Sequence, residues 1–144
     1  MNFSVILVHG TFAKEAEWTQ PGSALFKYLA ERLPASISSY QWSGGNSYKA
    51  RNSASKELAK RILEDSEARP EAIRVLIAHS HGGNVAIGAL RELGKIKLVD
   101  GLVCLGTPFL FAKERRQGNL APFLNILLWI ILVAPFLVLF LYAM

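Results

Sequence analysis

The sequence predicts an α/β fold: a parallel sheet with helices on both faces, followed by a C-terminal transmembrane helix. Three observations predict it. Short apolar runs alternate with amphipathic stretches, in the order strand, helix, strand, helix, strand, helix, strand. The residues with chemical potential fall where apolar runs end, which is where such sheets bind ligands. Finally, residues 121–144 carry no charged side chain at all.

Val5 to Val8 reads as a first strand, buried on both faces. Gly22 to Leu33 reads as a helix, with Leu25, Leu29 and Leu33 on one side and Pro34 helping to end it. Ile37 to Trp42 is the expected second strand, and Ser43-Gly44-Gly45-Asn46-Ser47 is a loop by composition. Lys49 to about Ser66 is an amphipathic helix with Leu58, Ile62 and Leu63 on its apolar side. Glu57 and Arg61 stand four apart on its wet face, and Arg69-Pro70 breaks it. Ile73 to Ala78 is a third strand. Asn84 to Leu93 is a helix stopped by Gly94. Leu98 to Leu105 is a fourth strand, interrupted at Asp100-Gly101 and ended by Gly106-Thr107-Pro108.

At 144 residues the chain has room for one domain. Its charge of +5 is scattered among acids, with no basic face interleaved with aromatics, so a nucleic-acid partner is not expected. A single cysteine, Cys104, excludes an intrachain disulfide and reads as a small buried core residue. The N-terminus has no basic head and too short an apolar run for a signal peptide.

The segment from Ala121 to Met144 is different in kind. As a helix its 24 residues reach roughly 36 Å, against a hydrocarbon core of ~30 Å. Pro122 fits a first helical turn, and Pro135 is tolerable inside a membrane. Lys113, Arg115 and Arg116 then form a positive flank that places the N-terminal domain on the cytoplasmic side. The expected organisation is a sheet domain over 1–112, a basic juxtamembrane linker over 113–120 and a single-pass anchor over 121–144.

The chemistry concentrates in Val75-Leu76-Ile77-Ala78-His79-Ser80-His81-Gly82-Gly83-Asn84. An apolar strand ends abruptly in a serine flanked by Ala78, Gly82 and Gly83, and a helical pattern comes next. Small neighbours are what a sharp strand-to-helix turn needs if it is to hold a hydroxyl outward. The turn also aims unpaired helix N–H groups at the place where negative charge develops. A plain helix N-cap also favours serine, but it does not need those three small residues.

These residues resemble the α/β-hydrolase superfamily, in particular its lipase and esterase-like serine hydrolases. Val5-Ile6-Leu7-Val8-His9-Gly10-Thr11-Phe12 is similar to the strand and His-Gly loop that supply part of the oxyanion hole. The turn at Ser80 is similar to the nucleophile elbow, and Leu105-Gly106-Thr107-Pro108 to the end of the next strand. Trp42 to Arg51 is similar to the segment after the second strand in some bacterial lipase-like hydrolases. The resemblance covers about residues 3 to 109 and implies a partial hydrolase core. It makes Ser80 the nucleophile, with oxyanion donors from His81 and from Thr11 or Phe12. It implies a carboxylic ester substrate and an acyl-enzyme. It gives His9 and His79 scaffold roles.

The superfamily order is nucleophile, acid, histidine, and past Ser80 the histidines run out at His81. Asp65 and Asp100 fall at the wrong places for a triad acid. No acidic ligand accompanies the three histidines at a metal-site spacing, so neither metal nor cofactor is expected. Two readings remain. One is a membrane-anchored serine hydrolase acting on a lipid-like ester, with its acid and base beyond residue 144; a four-strand parallel sheet with an open edge favours it. The other is an inactive hydrolase-like membrane protein that binds a lipid or a protein partner.

Overall fold

Four parallel strands make one sheet in the computed structural model, which describes residues 2–109. In chain order the elements are β1 (Phe3–Val8), α1 (Ala24–Arg32), β2 (Ala35–Tyr40), α2 (Tyr48–Ala68), β3 (Ile73–His79), α3 (His81–Leu93) and β4 (Gly101–Leu105). One turn of 3-10 helix, Glu17–Thr19, precedes α1. The strand order is β2-β1-β3-β4, with Phe3 opposite both Ala35 and Ile73, and Val75 opposite Gly101. The expected α/β class with a parallel sheet is therefore observed.

Side-chain parity explains the layers. Ile6, Val8, Tyr40, Leu76 and Ala78 point to one face, where they bury Leu58 and Ile62 of α2 and Val85, Ala86 and Ala89 of α3. Val5 and Leu7 have the opposite parity and are buried too. They lie on the side to which a right-handed β1–α1–β2 crossover carries α1. On that same parity in β4, Val103 and Leu105 are 44% and 43% exposed. The two helices of the core face pack closely because Gly88 of α3 has no side chain where Ser55 of α2 lies. The Ser55 hydroxyl donates to the Val85 carbonyl across that contact.

Local signals set the helix starts. The Ser23 hydroxyl accepts from the Phe26 amide, and the Ser47 hydroxyl from the Ala50 amide. α3 begins at His81 rather than Asn84, because the turn at Ser80 runs straight into it and Gly82 and Gly83 are helical. β2 starts two residues earlier than the periodicity implied and ends at Tyr40, since pairing with β1 from Phe3 to Val8 sets its length. Leu98 and Val99 fall outside β4 because the Asp100 side chain and amide bond to Arg74 and open the strand at Gly101. Cys104 is half-buried rather than buried, as its strand lies at the sheet's edge.

The amino end of the sheet is closed by a charge cluster. The Arg74 guanidinium, 4% exposed, donates from Nε to Asp65 Oδ2 at 2.6 Å, and to the carbonyls of Leu98 and Arg69. Ser4 and Arg69 donate to the other Asp65 oxygen. Burial raises the Asp65 carboxyl, but hydrogen bonds from Arg74 and Ser4 and the nearby positive charges outweigh it and hold the group below its ordinary value. Asp65 and Asp100 are thus structural anchors at the end of the sheet opposite Ser80.

All described residues belong to one compact unit, Met1–Leu110. The expected linker (113–120) and transmembrane helix (121–144) lie outside the described residues. Among the described residues no helix is long and apolar enough to cross a membrane.

Candidate active site

The chain leaves β1 toward β2 but leaves β3 toward β4. The loops after β1 and β3 therefore leave in opposite directions at the carboxyl ends of neighbouring strands, the place where open α/β sheets hold ligands. His9-Gly10-Thr11 and Ser80-His81 follow those two strand ends.

Ser80 sits at φ 52°, ψ −132°. This is a left-handed conformation that glycine adopts readily and a residue with a Cβ adopts only under strain, at a cost of order 1–3 kcal/mol. Its N–H donates to the Leu105 carbonyl at 2.9 Å, which pins the turn to the end of β4. Ser80 occupies the cap position of α3, yet its hydroxyl makes no capping hydrogen bond. The N-cap explanation of this serine therefore fails. The residue is strained and partly exposed, and its oxygen is not used by the helix it precedes.

Glycines create the space around it. A Cβ on Gly10 would come within 2.9 Å of Ser80 Cβ and 3.4 Å of its Oγ, so the first loop runs directly alongside the serine. A Cβ on Gly82 would strike the backbone carbonyls of Val8 and His9, and one on Gly83 would strike the Thr107 side chain. The small residues seen in the sequence thus let three segments converge on one turn.

His9 fixes the first loop. It is fully buried, and its Nε2 accepts from the Trp42 amide at 3.1 Å. The proton is then on Nδ1, which donates to the Gly10 carbonyl at 2.8 Å. The Trp42 indole N–H donates back to the His9 carbonyl at 2.8 Å, and the rings stack. With both nitrogens engaged, His9 is scaffold, not base. His79 is exposed and lies edge-on to Trp18. His81 Nδ1 faces the Asn84 amide nitrogen at 3.3 Å. Among the described residues no histidine is hydrogen-bonded to a carboxylate or to Ser80, and no three His, Cys, Asp or Glu side chains could hold a metal ion.

The expected oxyanion donors separate. The Phe12 amide donates to the Gly44 carbonyl at 2.9 Å, with both residues at positive φ, so it is committed to the neighbouring loop. The Thr11 and His81 amides have no hydrogen-bond acceptor among the described residues. The Phe12 ring stands 85% exposed.

A groove of about 360 Å³ lies to one side, lined by Trp42, Ser43, Ser47, Lys49, Ala50 and Glu57 among others. It does not include Ser80; its Trp42 is hydrogen-bonded to His9. Two features at this end of the sheet were not legible as site residues in the sequence: the Gly44 carbonyl that claims Phe12, and Thr107, packed on Gly83. Thr107 was visible only as part of Leu105-Gly106-Thr107-Pro108 after the fourth strand.

No protein-family model matches this chain, and no curated protein matches it.

Proposed function

We propose that this chain carries the nucleophile and oxyanion hole of a membrane-anchored serine hydrolase, similar to α/β-hydrolase lipases and esterases, that cleaves a carboxylic ester. The observation that carries the reading is Ser80 itself: a strained, partly exposed serine that does not cap its own helix, in a region where the Thr11 and His81 amides have no acceptor among the described residues. The Ser80 oxygen attacks the ester carbonyl, and the alcohol departs to leave an acyl-enzyme, which water then cleaves. The Thr11 and His81 amides stabilise the tetrahedral oxyanion. His9 and Trp42 keep the Thr11 wall in place. The exposed Phe12 ring and the apolar segment 121–144 favour a lipid-like acyl group presented near a bilayer. A general base takes the Ser80 proton as the oxygen attacks and returns it to the departing alkoxide.

The alternative, an inactive hydrolase-like membrane protein that binds a lipid or a protein partner, draws on one observation: no histidine among the described residues engages Ser80. A p-nitrophenyl ester separates the two. A serine hydrolase releases at least one equivalent of p-nitrophenolate and carries the acyl group on Ser80, and Ser80→Ala does neither. Release no faster from the full-length protein than from Ser80→Ala favours the inactive binder.

A further inference from the structure

The groove beside Trp42 gathers charges and hydroxyls that the fold does not use. Its volume of about 360 Å³ falls within the ~300–1,000 Å³ of small-molecule sites. Lys49, Ser53 and Glu57 follow one another at four-residue spacing on α2, and all three line it. Glu57 has Arg61 four residues further on, the arrangement that favours an ion pair on a helix, yet no ion pair joins them among the described residues. The Glu57 carboxylate accepts from the Ser53 hydroxyl at 3.2 Å instead, and the Tyr40 hydroxyl lies 3.4 Å from its other oxygen. Lys49 has no carboxylate partner among the described residues either. The Ser43 and Ser47 oxygens accept from the Gly45 and Ala50 amides, but neither hydroxyl has an acceptor for its own proton among the described residues.

We infer that this groove binds a phosphoethanolamine group, with its phosphate on Lys49, Ser43 and Ser47 and its ammonium on Glu57. Charge decides the class. One cation and one carboxylate line the same groove without pairing, and their Cα atoms are set roughly 12 Å apart along the helix axis. A ligand that satisfies both carries an anion and a cation separated by several bonds, which fits a phosphate ester of ethanolamine better than an α-amino acid. Lysine and two hydroxyl donors suit phosphate oxygens. At the other end, a quaternary ammonium would call for open aromatic faces. The aromatic side chain at this groove, Trp42, is 3% exposed and stacked on His9, whereas the Glu57 oxygens accept hydrogen bonds from a primary ammonium. The group arrives as the head of a lipid or as a soluble phosphodiester, and the chemistry recognised is the same. Binding here needs no reaction at Ser80, so Ser80→Ala is expected to bind as the wild type does.

The test is calorimetric titration of the full-length protein, held in detergent micelles, with sn-glycero-3-phosphoethanolamine. Saturable binding is expected, and Lys49→Gln and Glu57→Gln are each expected to weaken it roughly 10-fold, the loss of one charge-assisted contact. Lys56→Gln removes a charge from an exposed position of the same helix outside the groove, and is expected to bind as the wild type does. sn-Glycero-3-phosphocholine is expected to bind more weakly than the ethanolamine diester. Lysophosphatidylethanolamine placed in the same micelles identifies the source: it competes at lower concentration than the soluble diester for a lipid head group, and at higher concentration for a soluble ligand. Absence of binding overturns the inference. So does binding that neither Lys49→Gln nor Glu57→Gln weakens, an equal loss in Lys56→Gln, or inorganic phosphate binding as tightly as the diester. Each of those results leaves the hydrolase reading intact. A Ser80 that ignores fluorophosphonate while the diester binds as expected removes that reading alone.

Discussion

His9 and Trp42 hold each other at both ends. The Trp42 amide donates to the imidazole, the Trp42 indole donates to the His9 backbone carbonyl, and the two rings stack with centroids 5.6 Å apart. Because the other imidazole nitrogen holds the Gly10 carbonyl, the loop after β1 is tied to the loop after β2 before it reaches Ser80. His9→Phe keeps the stack but leaves the buried Trp42 amide without its acceptor, at a cost of roughly 1–3 kcal/mol. Urea unfolding should report that loss. Ser80 reactivity should fall as well, since the Gly10–Thr11 peptide is no longer fixed. A His9→Phe protein of wild-type stability would mean that the interlock holds nothing together.

The strain at Ser80 gives a second expectation, which concerns stability alone. Ser80→Gly removes the Cβ that makes φ 52°, ψ −132° costly, whereas Ser80→Ala keeps it. The relief of about 1–3 kcal/mol is offset by about 0.5–1 kcal/mol of extra chain entropy. Ser80→Gly should therefore be more stable than Ser80→Ala by roughly 1 kcal/mol in paired denaturation curves, although neither can react. Equal stabilities would show that the turn is relaxed.

The two glycines after the Ser80 turn separate rigid obstacles from soft ones. Gly82→Ala drives a methyl into the Val8 and His9 carbonyls, which belong to the central strand's end and cannot move aside cheaply. A loss of roughly 2 kcal/mol or more is expected, and no side-chain change should rescue it. Gly83→Ala meets the Thr107 side chain instead, so trimming Thr107 to glycine should recover part of the loss. Urea midpoints of the two single variants and the Gly83–Thr107 double variant decide the matter. Equal rescue of both would contradict the geometry.

At the far end of the sheet, Asp65→Asn leaves the Arg74 guanidinium buried and short of its charge partner, a loss of roughly 3 kcal/mol or more. The pH dependence comes from the same contact. The folded carboxyl titrates below its unfolded value of about 3.9, so its contribution is complete above that pH. It disappears as pH falls through the lower folded value. Stability of the wild type should drop over that acid range, and Asp65→Asn should lack this part of the slope in urea midpoints taken from pH 7 to pH 3.

Legibility in the sequence depends on which forces act locally. Alternating apolar runs and helical spacing revealed the order of the four strands and three α-helices of the described residues, because burial on two faces leaves a periodic trace. The sharp turn at Ser80 could be read because small residues stand at 78, 82 and 83 where a strand pattern meets a helical one. Contacts between segments left no such trace. Nothing local in Ile73-Arg74-Val75 says that Arg74 turns inward to meet Asp65, although it shares parity with the buried Leu76 and Ala78. The choice between Thr11 and Phe12 depends on the Gly44 carbonyl, which lies more than thirty residues away in the chain.

Reaction at position 80 separates a serine hydrolase from an inactive scaffold. Peptide mapping of the full-length protein after fluorophosphonate treatment tests this most directly. A phosphonyl adduct confined to the peptide that contains Ser80, and absent in Ser80→Ala, is the predicted result. An unmodified Ser80 in folded protein, or an adduct on another serine such as Ser43 or Ser47, would contradict it.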